Sequence, residues 1–364
     1  MEIFIRPIRK RMMVHHSTEE YCLCSQDHFI YKYYYATQEF EGLCRIPPRD
    51  QSIKGRLKDK LARSWIMQQL SSSIGIGHIT ELPDGTLLIL YDRVYLYRPG
   101  EGKRYAIPTD ELMQKNIYPP LRNGVAVHAL SGHAYFGEYK NSAPSEIKIF
   151  KVDGATGQLS VRYTFPTNQV KHVHSIVYDH FRNRLWVTTG DSDEQCGIFY
   201  SDDEFRSLKK LGGGDQSWRA VNLFPLERTI YWGMDAGRDA PAEAINKLYR
   251  YDVTSKDKQE IAVIGNPAYH GTLTTTQQMF LGVNYEPGRK QNTQEEASLW
   301  FSEDGEEWSS IVNFPYHYSG RKSGSSYGYL YLPTGISPEN RIVLTASNTK
   351  KYDFTLLQID IIQV

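Results

Sequence analysis

No stretch of this chain is apolar over the ~20 residues that a bilayer-spanning helix needs, so no helical anchor is expected. Charge of one sign is also lacking. Lys and Arg number 42 and Asp and Glu 42, which leaves no basic stripe for a nucleic acid and no acidic tail. Cysteine is sparse: Cys22, Cys24, Cys44 and Cys196 are too few for a disulfide framework in 364 residues. A C-x-C on one strand is more readily buried packing than a metal site. The opening MEIFIRPIRKRMMVHH scatters charge where a secretory leader carries its apolar core. Together these absences point to a reduced, cytoplasmic protein without nucleic-acid or membrane partners, and leave its oligomeric state open.

What is present is turn material between short β-type runs, and an abundance of tyrosine (26 residues). A flat apolar ring with a polar tip suits strands, and it suits polar-aromatic binding surfaces equally. Residues 171–211 read KHVHSIVYDHFRNRLWVTTGDSDEQCGIFYSDDEFRSLKKL. Runs at 172–178, 184–189, 197–201 and 207–211, separated by Asp, Asn, Gly and Ser, have the look of a four-stranded antiparallel meander. Residues 218–235 then lie on residues 174–191 without a gap. A four-stranded unit recurring every ~40–50 residues predicts an all-β fold, a single β-propeller.

Taken in order, residues 11–46 form a first blade, ended by Pro47 and Pro48. Over residues 54–70 the spacing of Leu57, Leu61 and Trp65 predicts one amphipathic helix outside the blades. Blades resume over 77–99, 125–166, 174–211, 218–264 and 269–314, with Pro83-Asp84-Gly85 and Asp153-Gly154 as hairpin turns. Residues 328–364 supply three strands, and residues 2–7 a fourth. Joining the two ends would close the ring and remove exposed sheet edges. The expectation is one domain over residues 1–364, of seven four-stranded blades, or six if the first region is irregular.

Two segments carry a family resemblance. Residues 201–208 (SDDEFRSL) and 302–308 (SEDGEEW) resemble degenerate Asp-boxes, the S-x-D-x-G-x-T-W turns of sialidase-like propellers. The run from His172 to Asp235 resembles BNR-repeat proteins of polysaccharide-handling systems. The resemblance implies a propeller and a carbohydrate setting; such turns indicate fold and not catalysis. It does not carry sialidase chemistry. Cys44-Arg45-Ile46-Pro47 ends a strand and runs into Pro48, whereas the family's Arg-Ile-Pro opens one.

Blade periodicity alone singles out candidate chemistry. His78, His128, His174, Trp218 and His270 begin successive first strands at intervals of 44–52 residues. Second strands end at Asp92, Glu138, Asp191, Asp235 and the Asn284/Glu286 pair. In a propeller these ends meet on one face, so imidazoles stand beside carboxylates. His78, His128, His174 and His270 are thus expected to converge on one divalent metal (Zn, Fe, Mn or Cu) at the axis, with carboxylates behind them. The alternative is a set of polar channel residues bonded to backbone and water. Glu138, Asp191 and Asp235 are the catalytic candidates. Trp218, Arg219 and Tyr269 are the substrate-binding ones, an aromatic to stack on a sugar and an Arg to read a carboxylate or phosphate. The partner expected is a glycan or a sugar-containing small molecule, acted on by hydrolysis or lyase-type elimination. A metal-dependent enzyme such as an oxygenase, and a non-catalytic binding propeller, are the other readings.

Overall fold

The computed structural model describes residues 1–362 apart from 49, 51, 56–74, 113–114, 143, 292–293, 319 and 321–325. The helix expected over residues 54–70 falls outside the described residues beyond position 55. The described chain is almost wholly β. Strand β1 (Glu2–Lys10) precedes a meander of β2 (Met13–Ser17), β3 (Tyr21–Gln26), β4 (Phe29–Tyr34) and β5 (Phe40–Arg45). The next contains β6 (His78–Glu81), β7 (Leu87–Leu90), β8 (Arg93–Tyr97) and β9 (Ile107–Glu111). Then come β10 (Val125–Val127), β11 (Ala134–Gly137), β12 (Ile147–Val152) and β13 (Leu159–Phe165). The fourth has β14 (His172–Asp179), β15 (Arg184–Gly190), β16 (Gly197–Ser201) and β17 (Lys209–Gly213). The fifth has β18 (Phe224–Pro225), β19 (Thr229–Gly233), β20 (Asn246–Asp252) and β21 (Lys258–Gly265). The sixth has β22 (Ala268–Thr274), β23 (Met279–Val283), β24 (Glu296–Ser302) and β25 (Ser309–Pro315). Strands β26 (Tyr329–Tyr331), β27 (Thr334–Ser337), β28 (Arg341–Ser347) and β29 (Thr355–Ile362) follow.

These strands build a single β-propeller, but its blade count is not the expected seven or six. Among the described residues, five four-stranded sheets stand as separate blades and the other nine strands form one continuous sheet. The reason is β27. It pairs parallel with β2 on one side and with β22 on the other, and so fuses the β2–β5 and β22–β25 meanders. Strand β1 pairs antiparallel with β29, from Glu2 opposite Ile362 to Lys10 opposite Thr355.

Apolar side chains on facing blades fill the gaps between them. Leu88, Leu90, Val94 and Leu96 meet Ala134, Phe136, Phe150 and Val152. Trp186 and Ile198 meet Ile230 and Trp232 in the same way. Strand β7 is buried at all four positions, which is why it reads LLIL without polar alternation. Each such side chain contributes roughly 1.5–3 kcal/mol by leaving water. The ring these contacts maintain leaves its axis to the inner strands.

Three of those inner strands carry a bulge at the axis. On β2 the ladder passes from Val14 to His16 and skips His15; on β14 it passes from Val173 to Ser175 and skips His174. On β22 it passes from Ala268 to His270 and skips Tyr269. A bulge leaves one residue outside the ladder and re-aims its side chain. His15, His174 and Tyr269 are the residues so released.

Candidate functional site

On the face where β14 and β22 begin and β15 ends, a cavity of about 280 Å³ opens. Its wall includes Tyr139, His174, Asp191, Arg219, Asp235, Tyr269 and Glu286. Arg122, Tyr269 and His270 also line a second cavity of about 360 Å³, whose other walls include Val125, Ile176, Leu223, Phe224 and Leu273. The axis thus holds a polar chamber and a mainly apolar one with a shared partition.

The polar chamber is built around two imidazoles. His172 pairs with Gly190 in the ladder, and the bulge at His174 aims the second imidazole toward the first, with ring centroids 5.0 Å apart. His172 Nδ1 lies 2.8 Å from the Lys140 carbonyl oxygen and His174 Nδ1 lies 3.0 Å from that of Ala220. A carbonyl only accepts, so both Nδ1 atoms carry the proton and donate. Burial lowers the pKa of His174, against the pull of Asp191, so the ring is neutral. Its Nε2 therefore presents a lone pair. The two Nε2 atoms are 3.1 Å apart, and Asp191 Oδ1 is 3.2 Å from that of His172 and 3.4 Å from that of His174. Burial alone would raise the Asp191 carboxyl. The Arg219 guanidinium, 3.1 Å from Oδ1, counters this and favours the carboxylate. Three electron-pair donors, one of them anionic, thus face one another in a buried triangle.

Such a triangle offers a cation three donor atoms. Ligands ~2.1 Å from one ion stand about 3.0–3.4 Å apart at octahedral to tetrahedral angles, so the spacing fits a small metal ion. Among the described residues, His172, His174 and Asp191 are the group of three His, Cys or acidic side chains whose ligand atoms lie within 4.8 Å of one another. Tyr139 stacks on His172 with ring centroids 4.0 Å apart. Gly190 matters here: a Cβ on it would lie 2.6 Å from His174 Cε1 and 3.2 Å from Arg219 Cγ. Only glycine admits the imidazole so close.

Arg219 links the acids of the chamber. Its Nη2 is 3.1 Å from Asp191 Oδ1 and 3.0 Å from Asp239 Oδ1, and its Nε is 3.5 Å from Asp235 Oδ2. Asp235 Oδ2 lies 3.7 Å from His174 Nδ1, while Oδ1 is buried without a partner. Burial, with the charges of Asp191 and Glu286, pushes the Asp235 carboxyl well above its ordinary range despite Arg219. One imidazole therefore separates an ionised carboxylate from a carboxyl that tends to keep its proton.

The cavity brings together His174, Asp191, Asp235, Arg219, Tyr269 and His270. Four sequence candidates lie elsewhere. His128 follows β10 instead of opening it, and its Nδ1 accepts from the Ser131 backbone N–H at the far end of that strand. The blade starts three residues earlier than the spacing implied. His78 does open β6, but it is buried with Nδ1 accepting from the Asn123 N–H at 3.1 Å. Glu138 is buried and committed to the Lys148 N–H and to Lys140. Trp218 ends a 3-10 turn, Gln216–Trp218, and stacks on Trp232 at 5.5 Å within the blade wall. His270 donates from Nδ1 to Leu330 O and stands apart from the triangle. The four histidines expected at one metal thus do not converge, and the group whose ligand atoms do lie together is His172, His174 and Asp191. Sequence reasoning missed His172 and Tyr139 as site members; the H-x-H spacing was the available signal for the first, and none existed for the second.

Comparison with solved structures finds similar folds. Oligogalacturonate lyase from Vibrio parahaemolyticus superposes with a TM-score of 0.64 at 9% identity, over 100% of this chain and 97% of that one. The GH74 xyloglucanase from Xanthomonas campestris gives 0.58 at 12%, over 96% of this chain and 53% of that one. A GH74 enzyme from Niastella koreensis gives 0.56 at 12%, over 95% and 53%. This chain spans about half the length of those two (53%). At such identities the likeness is one of fold. No protein-family model and no curated protein matches the sequence.

Proposed function

We propose that this chain is a carbohydrate-active enzyme. It takes a glycan or a sugar-containing small molecule into the polar axial chamber and acts on it by hydrolysis or lyase-type elimination. His172, His174 and Asp191 hold a divalent cation there; imidazole donors suit Zn, Fe, Mn or Cu. The carrying observation is the buried triangle of two imidazole nitrogens and a carboxylate oxygen, 3.1–3.4 Å on a side. The sugar class is supported by the chamber's mix of tyrosine faces and charged groups. It is supported also by propellers of similar fold, an oligogalacturonate lyase and a xyloglucanase. When bound, the cation would supply Lewis-acid chemistry, polarising an oxygen of the ligand. The protein's share is orientation and proton handling. Lys140 O and Ala220 O fix both imidazoles, Arg219 fixes Asp191, and Asp235 stands as the proton-bearing group.

One observation favours a second reading. Arg219 Nη2 already lies 3.1 Å from the same Asp191 oxygen and offsets its charge. A proton shared by the imidazoles would then replace the metal, with Asp235 as acid and Asp191 as base. Elemental analysis of protein purified without a histidine tag separates the two. About one equivalent of metal, lost in His172→Ala while far-ultraviolet circular dichroism is retained, is the expected result. Turnover is read on neutral and acidic glycans by reducing ends and by the absorbance of unsaturated products. Metal-free protein whose turnover resists chelators supports the acid–base pair. Absence of turnover on the whole panel would sink the enzyme reading.

A further inference from the structure

Deeper along the axis lies a positive charge without a counter-charge. Arg122 sits on the partition between the two chambers, and among the described residues no carboxylate forms an ion pair with it. Its Nη1 is buried and has no hydrogen-bond partner. Its packing contact is the Tyr331 ring, 5.5 Å from the guanidinium carbon. Burying a guanidinium that nothing offsets is costly, and the usual remedy is an anion.

Carboxylates do line the two chambers, Glu81 in the one and Asp191, Asp235 and Glu286 in the other, but none is paired with Arg122 among the described residues, and two imidazoles stand nearer as further donors. His78 Nδ1 lies 3.1 Å from the Asn123 backbone N, the ring also faces the backbone of Pro120 and Leu121, and its buried Nε2 has no partner. His15, released by the β2 bulge, is held through Nε2 at 2.7 Å from Ser25 Oγ, which leaves Nδ1 buried and unpartnered. Arg122 is near enough to depress both rings electrostatically, after burial, and His270 with them. Three buried polar atoms without a hydrogen-bond partner, Arg122 Nη1, His78 Nε2 and His15 Nδ1, thus share one neighbourhood with an unpaired guanidinium.

We propose that Arg122, His78 and His15 form an anion-binding site inside the axial channel that takes a carboxylate. The guanidinium supplies charge and planar donors, and each of the two unpartnered imidazole nitrogens supplies a further donor in its N–H tautomer. The carboxylate comes either from a free small anion or from an acidic sugar reaching down from the polar chamber. The second source rests on the carbohydrate reading; the first does not. The site uses none of the three metal-binding residues, so metal content and anion binding can fail separately.

Titration calorimetry in low-salt buffer tests this with three probes: sodium acetate, sodium D-glucuronate and neutral D-glucose. Saturable binding of glucuronate but neither of the others identifies a sugar-borne carboxylate; binding of acetate as well identifies a free-anion site. Arg122→Gln should weaken the bound probe roughly 10-fold or more, as loss of a charged hydrogen-bond donor does. Arg122→Lys, which keeps the charge and guards against a folding defect, should restore part of it. The surface change Arg206→Gln, matched in charge, should leave it unaltered. Failure of both anions to bind the wild-type chain, or undiminished binding by Arg122→Gln, would overturn the proposal.

Discussion

A single missing methyl group makes the His174 position tenable. Because a Cβ at residue 190 would lie 2.6 Å from His174 Cε1 and 3.0 Å from Nε2, Gly190→Ala must displace the imidazole. The site cannot absorb the atom for free: Ala220 O holds Nδ1 from one side and Asp191 faces Nε2 from the other. Overpacking of this kind costs about 1–3 kcal/mol. The expected outcome is a folded protein with a lowered melting temperature and metal affinity reduced at least about 10-fold, as for loss of ligand orientation. Calorimetric metal titration checks it. Wild-type affinity in that variant would remove His174 from the ligand set.

At the scale of elements, the sequence displayed periodicity well and phase poorly. Turn chemistry at Asp153-Gly154 and around residues 179–183 marked hairpins that the ladders follow, β12 to β13 and β14 to β15. The expected helix at residues 54–70 has no described counterpart beyond position 55. Where the axial end of a strand falls depends on one or two residues, and alternation magnifies such an error into a reversed side chain. His128 was misplaced for that reason: β10 is only Val125–Val127, so a residue read as a beginning is an end. Trp218 failed differently, since a 3-10 turn replaces most of that blade's inner strand and folds the indole against Trp232. Bulges were invisible, because no residue type announces them. The count of separate blades was also hidden: it hinges on β27, four residues whose parallel partners β2 and β22 are remote in sequence.

For the whole molecule, the buried axis makes acid a threat. Burial holds His78 at about 3 and His270 at about 4, against 6.5 for an unperturbed ring. Between those values the unfolded chain binds protons that the folded one refuses. Stability therefore rises with pH up to about 6.5 and is lost as acid is added below it. The two rings together cost on the order of 2–4 kcal/mol on going from pH 7 to pH 5. A melting temperature lower by several degrees at the acid end is expected, and a flat profile would show that these rings are hydrated.

Since Glu2 stands opposite Ile362 in the closing sheet, residues near the two extremities of the described chain are spatial neighbours. In topological terms the polypeptide is a closed loop cut at one point, and the cut occupies no privileged place in the ring. A short Gly-Ser tether between residues 2 and 362, with a new opening between Gly102 and Lys103 in the exposed β8–β9 turn, keeps every blade contact. Such a circular permutant should fold to the same circular dichroism spectrum and show the same metal content as the parent chain. A permutant that aggregates would show instead that the order in which the strands are made governs how the ring closes.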